Sequence, residues 1–491
     1  MKKLISLLSV LALSSLPPLA AADKAKDVPV SEAEKLVKEG RVLVLDVRTP
    51  DEFKAGHIQG AVNIDFNGKD FAAAKGDAVK WINANGGING KKLEMTAFDY
   101  SYKAPVAITT YKKWMSESRK PDVIYGYGTA DTEALSPMVN ADKVVYLSHS
   151  FSANITDPTG ASKQVERPTP FNFFHGPTYS DGCRAMVQWA AGDWKKKGGA
   201  GAPKFAYMGD NHPYPNSAKE ACMAYAKQLG MEVLPPIQYS MAPADFKAQC
   251  LTLKETGAPY TYLGNAANAT IALLKSCATV GVKTQFLTNI YAYSEPVMEA
   301  IGEAADGVIV PVHVAPWGSD VPGMKLVREI TGNQPKSTFY MAALCTMMYL
   351  REALVTADKA GGINGPNVRS AMYAKANWVP QGMEGVCAPA TWTDKDHRSV
   401  VDVPILQGSM KGGKPSWKQL EVVKLGRDAA WLGAPRPASM ISGTSRKCWR
   451  IAASASAWRR PRPVPMGAPQ GISTRHPAPS SRSPTIRSSV V

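Results

Sequence analysis

Two short loops carry the residues best suited to bind a small anion. The first, GYGT at 126–129, follows an apolar run at 123–125, and the second, SHSFS at 148–152, follows another at 144–147. Backbone N–H groups at a helix start, together with small hydroxyl groups, bind carboxylates and other oxygen-rich head groups. The pattern therefore predicts a site for such a ligand, although glycine and serine are also the common residues of ordinary turns.

The elements around these loops predict where the loops lie. Each loop follows an apolar run of the kind that forms a buried parallel strand, and a polar helical pattern separates the two runs. The carboxyl ends of neighbouring parallel strands meet at one edge of a sheet, where open α/β sheets bind their ligands. A dinucleotide site is disfavoured, because Asp131 stands where the pattern Gly126-x-Gly128 would need its third glycine.

From residue 76 onwards, short apolar runs alternate with helical patterns. Residues 104–116 have one apolar face, and 339–354 form the longest apolar helix pattern, which we expect in a core. We expect further strands at 205–208, 233–239, 261–263, 284–287 and 308–314, and helices at 215–229, 243–256, 268–279 and 294–303. Strands separated by helices of this length form βαβ units and parallel sheets. The predicted fold class is α/β, with two doubly wound lobes because so many units exceed one sheet.

The composition adds few constraints on function. The 491 residues are 45% hydrophobic, which suffices for two or three domains with buried cores. The net charge of +16 would normally suggest an acidic partner, but the segment after Gly433 alone holds nine arginines, one lysine and no acidic residue. The rest of the chain is mildly basic and shows no nucleic-acid motif. We expect 434–491 to be a disordered, dispensable basic tail; binding to anionic surfaces is the alternative.

The N-terminus has the form of a secretory signal peptide at 1–22. Lys2 and Lys3 precede an apolar stretch at 4–13, and alanines at 20–22 form a small-residue cleavage site. No later run reaches the roughly 20 apolar residues of a membrane span. We therefore expect a soluble, exported protein of the periplasm.

The seven cysteines suit an oxidising compartment. None precedes Cys183 and no two form a C-x-x-C pair, so we expect no metal site. Cys250 and Cys277 lie on successive predicted helices, where they form either a disulfide bond or two buried free thiols.

A separate pattern occupies residues 27–70. The strings LDVR at 45–48 and GHIQGA at 56–61 resemble the first half of a rhodanese domain. That resemblance implies a sulfurtransferase, whose mechanism needs a thiolate nucleophile. The stretch in which the family's cysteine should follow contains a helix pattern without cysteine. We therefore expect no catalysis by this segment and a structural role for His57.

Residues 76–433 resemble a type I periplasmic solute-binding protein of the branched-chain, or hydrophobic, amino acid ABC transporter class. The matching strings include DAVKWINANGGINGKKLEM at 77–95, YLSHSFSANITDP at 146–158, GDNHPYPNSAKEA at 209–221 and DHRSV at 396–400. The resemblance implies two lobes that close on a small ligand, with no cofactor and no enzymatic activity. It also implies a membrane permease of an ABC transporter as partner, and we expect a monomer.

The resemblance also divides this domain between its lobes. Lobe 1 would comprise about 76–176 and 313–360, and lobe 2 about 177–312 and 361–433. The family begins with a strand and a Gly/Ser-rich loop where this chain has the rhodanese-like segment, and the strand at 42–46 is a candidate replacement. An inactive sulfurtransferase and a fusion product without function are therefore the alternatives to a transport protein.

Candidate ligand-binding residues follow from the same resemblance. Thr129 matches a hydroxyl ligand of the first lobe, and Ser150 and Ser152 match the loop that binds the ligand carboxylate. Tyr214 matches an aromatic wall of the cleft. The full set of candidates is Tyr102, Tyr127, Gly128, Thr129, Ser148, Ser150, Ser152, Tyr214, Asn265, Ala266 and Tyr291.

Two departures from the family pattern concern the ligand. Asn265-Ala266 replaces a tyrosine position, and the stretch Asn289 to Tyr291 replaces the glutamate that binds a ligand ammonium. A buried ammonium without a countercharge costs several kcal/mol. Among small carboxylates, we therefore expect an aromatic or otherwise apolar acid in preference to an ordinary α-amino acid.

Overall fold

The structure is a computed structural model that describes residues 66–162 and 167–433, together with short strands at 10–12, 42–46, 62–63 and 485–490. The signal peptide, the rhodanese-like segment with His57, and the tail at 434–484 lie outside the described residues, apart from these strands. None of the helices in the described part of the chain combines the length and the apolarity that a membrane crossing requires.

The elements alternate as the periodicity predicts. The helices are α1 (Phe66–Ala84), α2 (Ala104–Ser116), α3 (Thr129–Asp142), α4 (Tyr179–Lys196), α5 (Pro213–Gln228), α6 (Lys247–Thr256), α7 (Ala267–Thr279), α8 (Glu295–Ile301), α9 (Met324–Thr331), α10 (Thr338–Lys359) and α11 (Gly365–Tyr373). The strands are β1 (Val10–Ala12), β2 (Val42–Asp46), β3 (Val62–Asn63), β4 (Lys92–Ala97), β5 (Val123–Tyr125), β6 (Val145–Leu147), β7 (Asn172–Phe173), β8 (Lys204–Gly209), β9 (Glu232–Val233), β10 (Ile237–Gln238), β11 (Tyr260–Leu263), β12 (Gln285–Thr288), β13 (Ile309–Pro311), β14 (Asp402–Ser409), β15 (Ser416–Lys424) and β16 (Thr485–Val490).

Lobe 1 is built on a five-stranded sheet in the order β4-β16-β5-β6-β7, with every pair parallel. Helix α1 packs against α10, where the Tyr340 hydroxyl donates to Asp77. Helix α2 packs against α3, where the Tyr111 hydroxyl donates to Asp142. Helix α10 is buried around most of its circumference, as expected for a core helix.

Lobe 2 is built on a larger sheet in the order β10-β8-β11-β12-β13-β14-β15, with β9 also paired to β8. The pairs from β10 to β13 are parallel, and β14 and β15 add an antiparallel hairpin at one edge. The strand predicted at 233–239 is two short strands, because Pro235 and Pro236 interrupt it and have no N–H to donate. Both lobes are α/β with parallel-rich sheets, which confirms the predicted fold class.

Helix α11 belongs to a different lobe from the one that the sequence predicted. The sequence assigned 361–433 to lobe 2, but α11 packs on lobe 1. A Cβ at Gly365 would overlap the backbone carbonyl of Lys143, and the Arg369 guanidinium lies 4.8 Å from the ring centre of Phe171. The return to lobe 2 therefore comes after α11, with the hairpin of β14 and β15.

Three segments of the chain cross between the lobes. They join β7 to α4, β13 to α9, and α11 to β14. Each lobe is thus assembled from pieces of chain that are distant in sequence. Three disulfide bonds support this arrangement: Cys183–Cys222 joins α4 to α5, Cys250–Cys277 joins α6 to α7, and Cys345–Cys387 ties α10 to the third crossing.

The first strand of lobe 1 comes from an unexpected part of the chain. Strand β2 does not fill that place, because it pairs with β1 and β3 in a separate sheet. Thr485–Val490 lies between β4 and β5 instead and is parallel to both. These six residues belong to the tail that lacks an apolar period, which is why the sequence predicts no strand there.

Truncation after Gly433 is therefore expected to destabilise lobe 1. The deletion leaves β4 and β5 without the neighbour that both pair with, and unpaired backbone groups inside a sheet are costly. Melting temperatures of the full and truncated chains test this. An unchanged melting temperature would instead support the dispensable tail that the composition suggested.

Candidate functional site

The two hydroxyl-bearing loops meet at the carboxyl ends of β5 and β6. Ser150 Oγ donates to Thr129 Oγ1 at 3.0 Å, and the backbone N–H of Ser150 donates to Ser148 Oγ at 3.0 Å. Gly128 forms the N-cap of α3, and a Cβ there would overlap the Asp131 carboxylate and the Tyr102 ring. The loop can therefore approach α3 this closely because residue 128 is glycine.

The Ser152 hydroxyl forms hydrogen bonds within the protein. It donates to Glu133 Oε1 at 2.6 Å, and the Ser217 hydroxyl of lobe 2 lies 3.3 Å from it across the cleft. The backbone N–H of Asn154 donates to Ser152 Oγ. The hydrogen bond to Glu133 joins the cleft loop to α3.

Asn265 and Asn289 of lobe 2 bond to the backbone of the surrounding loops. Asn289 Nδ2 donates to the carbonyls of Leu263, Gly264 and Asn265, while its Oδ1 accepts from the Tyr214 hydroxyl and the Tyr291 N–H. The Asn265 amide donates to two further carbonyls and accepts the N–H of Asp210. Ala266 has no polar side chain and forms the N-cap of α7. These residues shape the loops that carry the tyrosines.

The acidic side chains of the lobe 2 loops are engaged elsewhere. In the described loops at 209–217, 264–267 and 288–295 the acids are Asp210 and Glu295. Asp210 accepts the N–H of Met241. Glu295 accepts two bonds from Thr338 and one from Trp417, and its burial raises the pKa of its carboxyl group.

Aromatic side chains from both lobes line the cleft. Tyr102 stacks on His212 of lobe 2 with ring centres 5.9 Å apart, and Tyr127 lies edge-on to Tyr102 at 6.1 Å. Deeper inside, Tyr291 lies 6.4 Å from Tyr214, and both are almost fully buried. The structure thus brings the predicted tyrosines of both lobes together.

Sequence reasoning missed three members of this aromatic group. Phe71 of α1 lies 5.9 Å from Tyr291, Tyr179 of α4 lies 6.2 Å from it, and His149 lies 4.1 Å from Phe71. His149 stands between two predicted serines, so its position in the sequence was the available signal, whereas Tyr179 lies beyond the matching string at 146–158. Phe71 precedes the segment that carries the resemblance.

Two buried histidines hold the crossing segments together. His175 on the first crossing lies 2.9 Å from the Ala388 carbonyl on the third, and its ring centre lies 4.9 Å from that of His313 on the second. Burial lowers the pKa of His175 to about 4 and that of His313 well below its ordinary value. Both nitrogens of His313 are buried without a hydrogen-bond partner. Both rings are therefore neutral at pH 7.

Acid should destabilise the crossings. Below the unfolded-state pKa of about 6.5, the unfolded chain binds protons that the folded chain excludes, so stability falls as the pH drops towards about 4. Each histidine contributes up to roughly 1.4 kcal/mol per pH unit. His313→Phe keeps a flat ring without a titrating nitrogen, and it should flatten the fall in unfolding free energy between pH 6.5 and 4.5. A variant with the slope of the parent protein would contradict this assignment.

Ser152→Ala and Ser294→Ala form a matched pair. Both serines are fully buried, but the Ser294 hydroxyl has no partner whereas that of Ser152 bonds to Glu133. A hydrogen bond to a charged group is worth about 1.5 to 3 kcal/mol, so Ser152→Ala should lower the unfolding free energy by that order, and Ser294→Ala should leave it unchanged. Equal effects in urea denaturation would show that the Ser152–Glu133 bond does not stabilise the fold.

The chain was compared with known proteins and structures. It is 23% identical to the Leu/Ile/Val-binding protein of Escherichia coli K12 over 344 residues, which cover 69% of this chain and 85% of that protein. It is 24% identical to the Leu/Ile/Val-binding protein homolog 1 of Brucella abortus (strain 2308) over 302 residues, or 61% and 76% of the two chains.

Solved structures show the same fold. A branched chain amino acid ABC transporter protein from Thermus thermophilus with bound valine superimposes with a TM-score of 0.64 at 18% identity, over 73% of this chain and 92% of that one. A fatty acid ABC transporter substrate-binding protein from Thermomonospora curvata superimposes with a TM-score of 0.63 at 19% identity, over 74% and 89%.

The family assignment rests on a profile match. The profile of a family described as periplasmic binding protein matches residues 58–414, which is well over half of the chain. The matched relatives are named as binding proteins, and this chain is a binding protein rather than an enzyme. The chain belongs to the periplasmic binding protein family.

Proposed function

We propose that the chain is the substrate-binding component of an ABC importer in the periplasm, where it captures a small carboxylate between its two lobes and delivers it to a membrane permease. The observation that carries this proposal is the arrangement of the cleft. Hydroxyl-bearing loops of lobe 1 lie beside tyrosines of both lobes, and the 3.3 Å distance between the Ser152 and Ser217 hydroxyl oxygens supports binding between the lobes.

The polar end of the ligand fits lobe 1. Thr129 is the first residue of α3, and the Thr129 and Ser150 hydroxyls lie beside the N-terminus of that helix. A helix N-terminus with neighbouring hydroxyl groups attracts a carboxylate. The rest of the ligand then extends towards the tyrosines, which favours an apolar or aromatic body.

An acid without an amino group fits lobe 2 best. Asp210 and Glu295 are already held by N–H and hydroxyl donors, so they do not offer a free countercharge to an ammonium. The fatty acid binder among the solved structures is an example of this fold with such a ligand. An α-amino acid is the second candidate, because Glu133 beside Ser152 provides a carboxylate at the edge of lobe 1.

A sulfurtransferase has less support. The six cysteines in the described part of the chain all form disulfide bonds, so none of them is the thiolate that sulfur transfer requires.

Matched pairs of ligands test the proposal. Melting temperatures are measured with 3-phenylpropanoate against phenylalanine, and with 4-methylpentanoate against leucine. The acid of each pair should stabilise the protein more than the amino acid, and a ligand at 100 times its Kd should add about 2.7 kcal/mol to the unfolding free energy. The corresponding amides serve as controls, because they lack the charge that lobe 1 attracts.

The alternative outcomes are distinct. Stronger stabilisation by the amino acids, lost in Glu133→Gln, would establish the second candidate. If a broad set of small carboxylates leaves the melting temperature unchanged, the chain is not a carboxylate-binding protein.

A further inference from the structure

A phenylalanine of the chain lies among the aromatic residues of the candidate site. Phe71 on α1 is 1% exposed, and its ring centre lies 4.1 Å from His149 and 5.5 Å from Tyr127 on the loops of lobe 1. It also lies 5.9 Å from Tyr291 of lobe 2 and 6.0 Å from Phe339 of α10. The ring is therefore enclosed by the same loops that carry the candidate ligand-binding residues.

Two polar atoms beside this ring are buried without partners. His149 Nδ1 and the Tyr291 hydroxyl have no hydrogen-bond partner, and the two side chains are 1% and 6% exposed. His149 belongs to lobe 1 and Tyr291 to lobe 2, so they approach Phe71 from opposite sides of the cleft. A buried polar atom without a partner is costly, and such atoms in a native protein call for a partner that is absent.

A contact with Tyr125 fixes the orientation of His149. Its Nε2 lies 2.9 Å from the Tyr125 hydroxyl, and the Lys75 ammonium lies 4.0 Å from the ring centre of Tyr125. Nδ1 is therefore the nitrogen that remains for a ligand. A ring held in this way presents one defined polar atom beside Phe71.

We propose that Phe71 occupies the position of the ligand's ring, and that the ligand is an aromatic acid with an oxygen substituent on its ring, which displaces Phe71 and bonds to His149 and Tyr291. The inference rests on the proposed function and specifies the ligand class of the same site. Phe71 carries an apolar six-membered ring, whereas its surroundings include two polar atoms without partners, His149 Nδ1 and the Tyr291 hydroxyl oxygen. A hydroxylated ring matches both features.

The hydrogen-bond chemistry agrees with this ligand. Burial raises the pKa of Tyr291 well above its ordinary value, so its hydroxyl keeps its proton and can donate to the substituent oxygen. Burial and the nearby Lys75 charge lower the pKa of His149 well below its ordinary value, so its ring is neutral. A neutral histidine and a phenol suit an uncharged hydroxyl group better than a second carboxylate.

Isothermal titration with 4-hydroxybenzoate and benzoate tests the proposal on the full chain. Phe71→Ala should bind 4-hydroxybenzoate at least about ten-fold more tightly than the parent, because the ligand no longer has to displace a ring. Phe71→Leu, which also removes the ring, serves if the alanine variant does not fold. Phe246→Ala removes an equally buried ring in lobe 2, and it should not change the affinity.

A second comparison tests the polar contact. Tyr291→Phe in the Phe71→Ala background should reduce the preference for 4-hydroxybenzoate over benzoate by about five- to ten-fold. Tyr293→Phe is the matched control, since that hydroxyl donates to the Ala305 carbonyl, away from the cleft. It should leave the preference unchanged.

The outcomes separate this inference from the proposed function. If the parent binds other small carboxylates and Phe71→Ala and Phe71→Leu bind 4-hydroxybenzoate no better, Phe71 is a wall of the site and the inference is wrong. An unaltered preference in Tyr291→Phe would overturn the polar contact. If parent and variants bind no carboxylate of any kind, the proposed function itself fails.

Discussion

The packing of the three crossing segments against one another is the constraint on which the two-lobed arrangement depends. His175, His313 and the Ala388 carbonyl bring one residue of each crossing into a single buried cluster, and Cys345–Cys387 attaches the third crossing to α10. Hinge motion about a few segment ends is a common route to closure of two domains around a ligand.

The crossings also determine which groups can meet in the cleft. Loops that follow the parallel strands of both sheets contact each other, as in the pairs Ser152–Ser217 and Tyr102–His212. Lobe 1 contributes hydroxyl groups and the start of α3, while lobe 2 contributes tyrosines on loops that two asparagines hold in place. Tyr102 and Tyr127 add aromatic rings from lobe 1, so we expect a ligand with a polar and an apolar end to contact both lobes.

The sequence predicted those features that depend on local periodicity. Alternating strands and helices indicated the α/β lobes, and the position of two loops after neighbouring strands indicated that Thr129 and Ser150 would lie together. Residues that are distant in sequence were harder to predict. Glu133 on α3 accepts a hydrogen bond from the Ser152 hydroxyl of the next loop, and no spacing rule shows this contact.

Phe71 and β16 illustrate two further limits. Phe71 lies on α1 ahead of residue 76, where the strings that indicated the resemblance begin, so its place in the sequence did not connect it with the site. Thr485–Val490 completes the sheet of lobe 1 through backbone pairing, which leaves no hydrophobic period to recognise. Cys183–Cys222 was not predicted either, because cysteine spacing alone does not determine pairing.

The central claim, that the ligand enters between the lobes, is tested most directly by locking them together. The Ser152 and Ser217 hydroxyl oxygens lie 3.3 Å apart across the cleft, so cysteines at both positions should form a disulfide bond between the lobes when oxidised. Ligand binding is then measured by isothermal titration before and after reduction. The account predicts that the oxidised double variant does not take up a ligand that its reduced form binds, and that oxidation after loading traps the ligand. Equal binding by the oxidised and reduced forms would show that the ligand does not enter between the lobes.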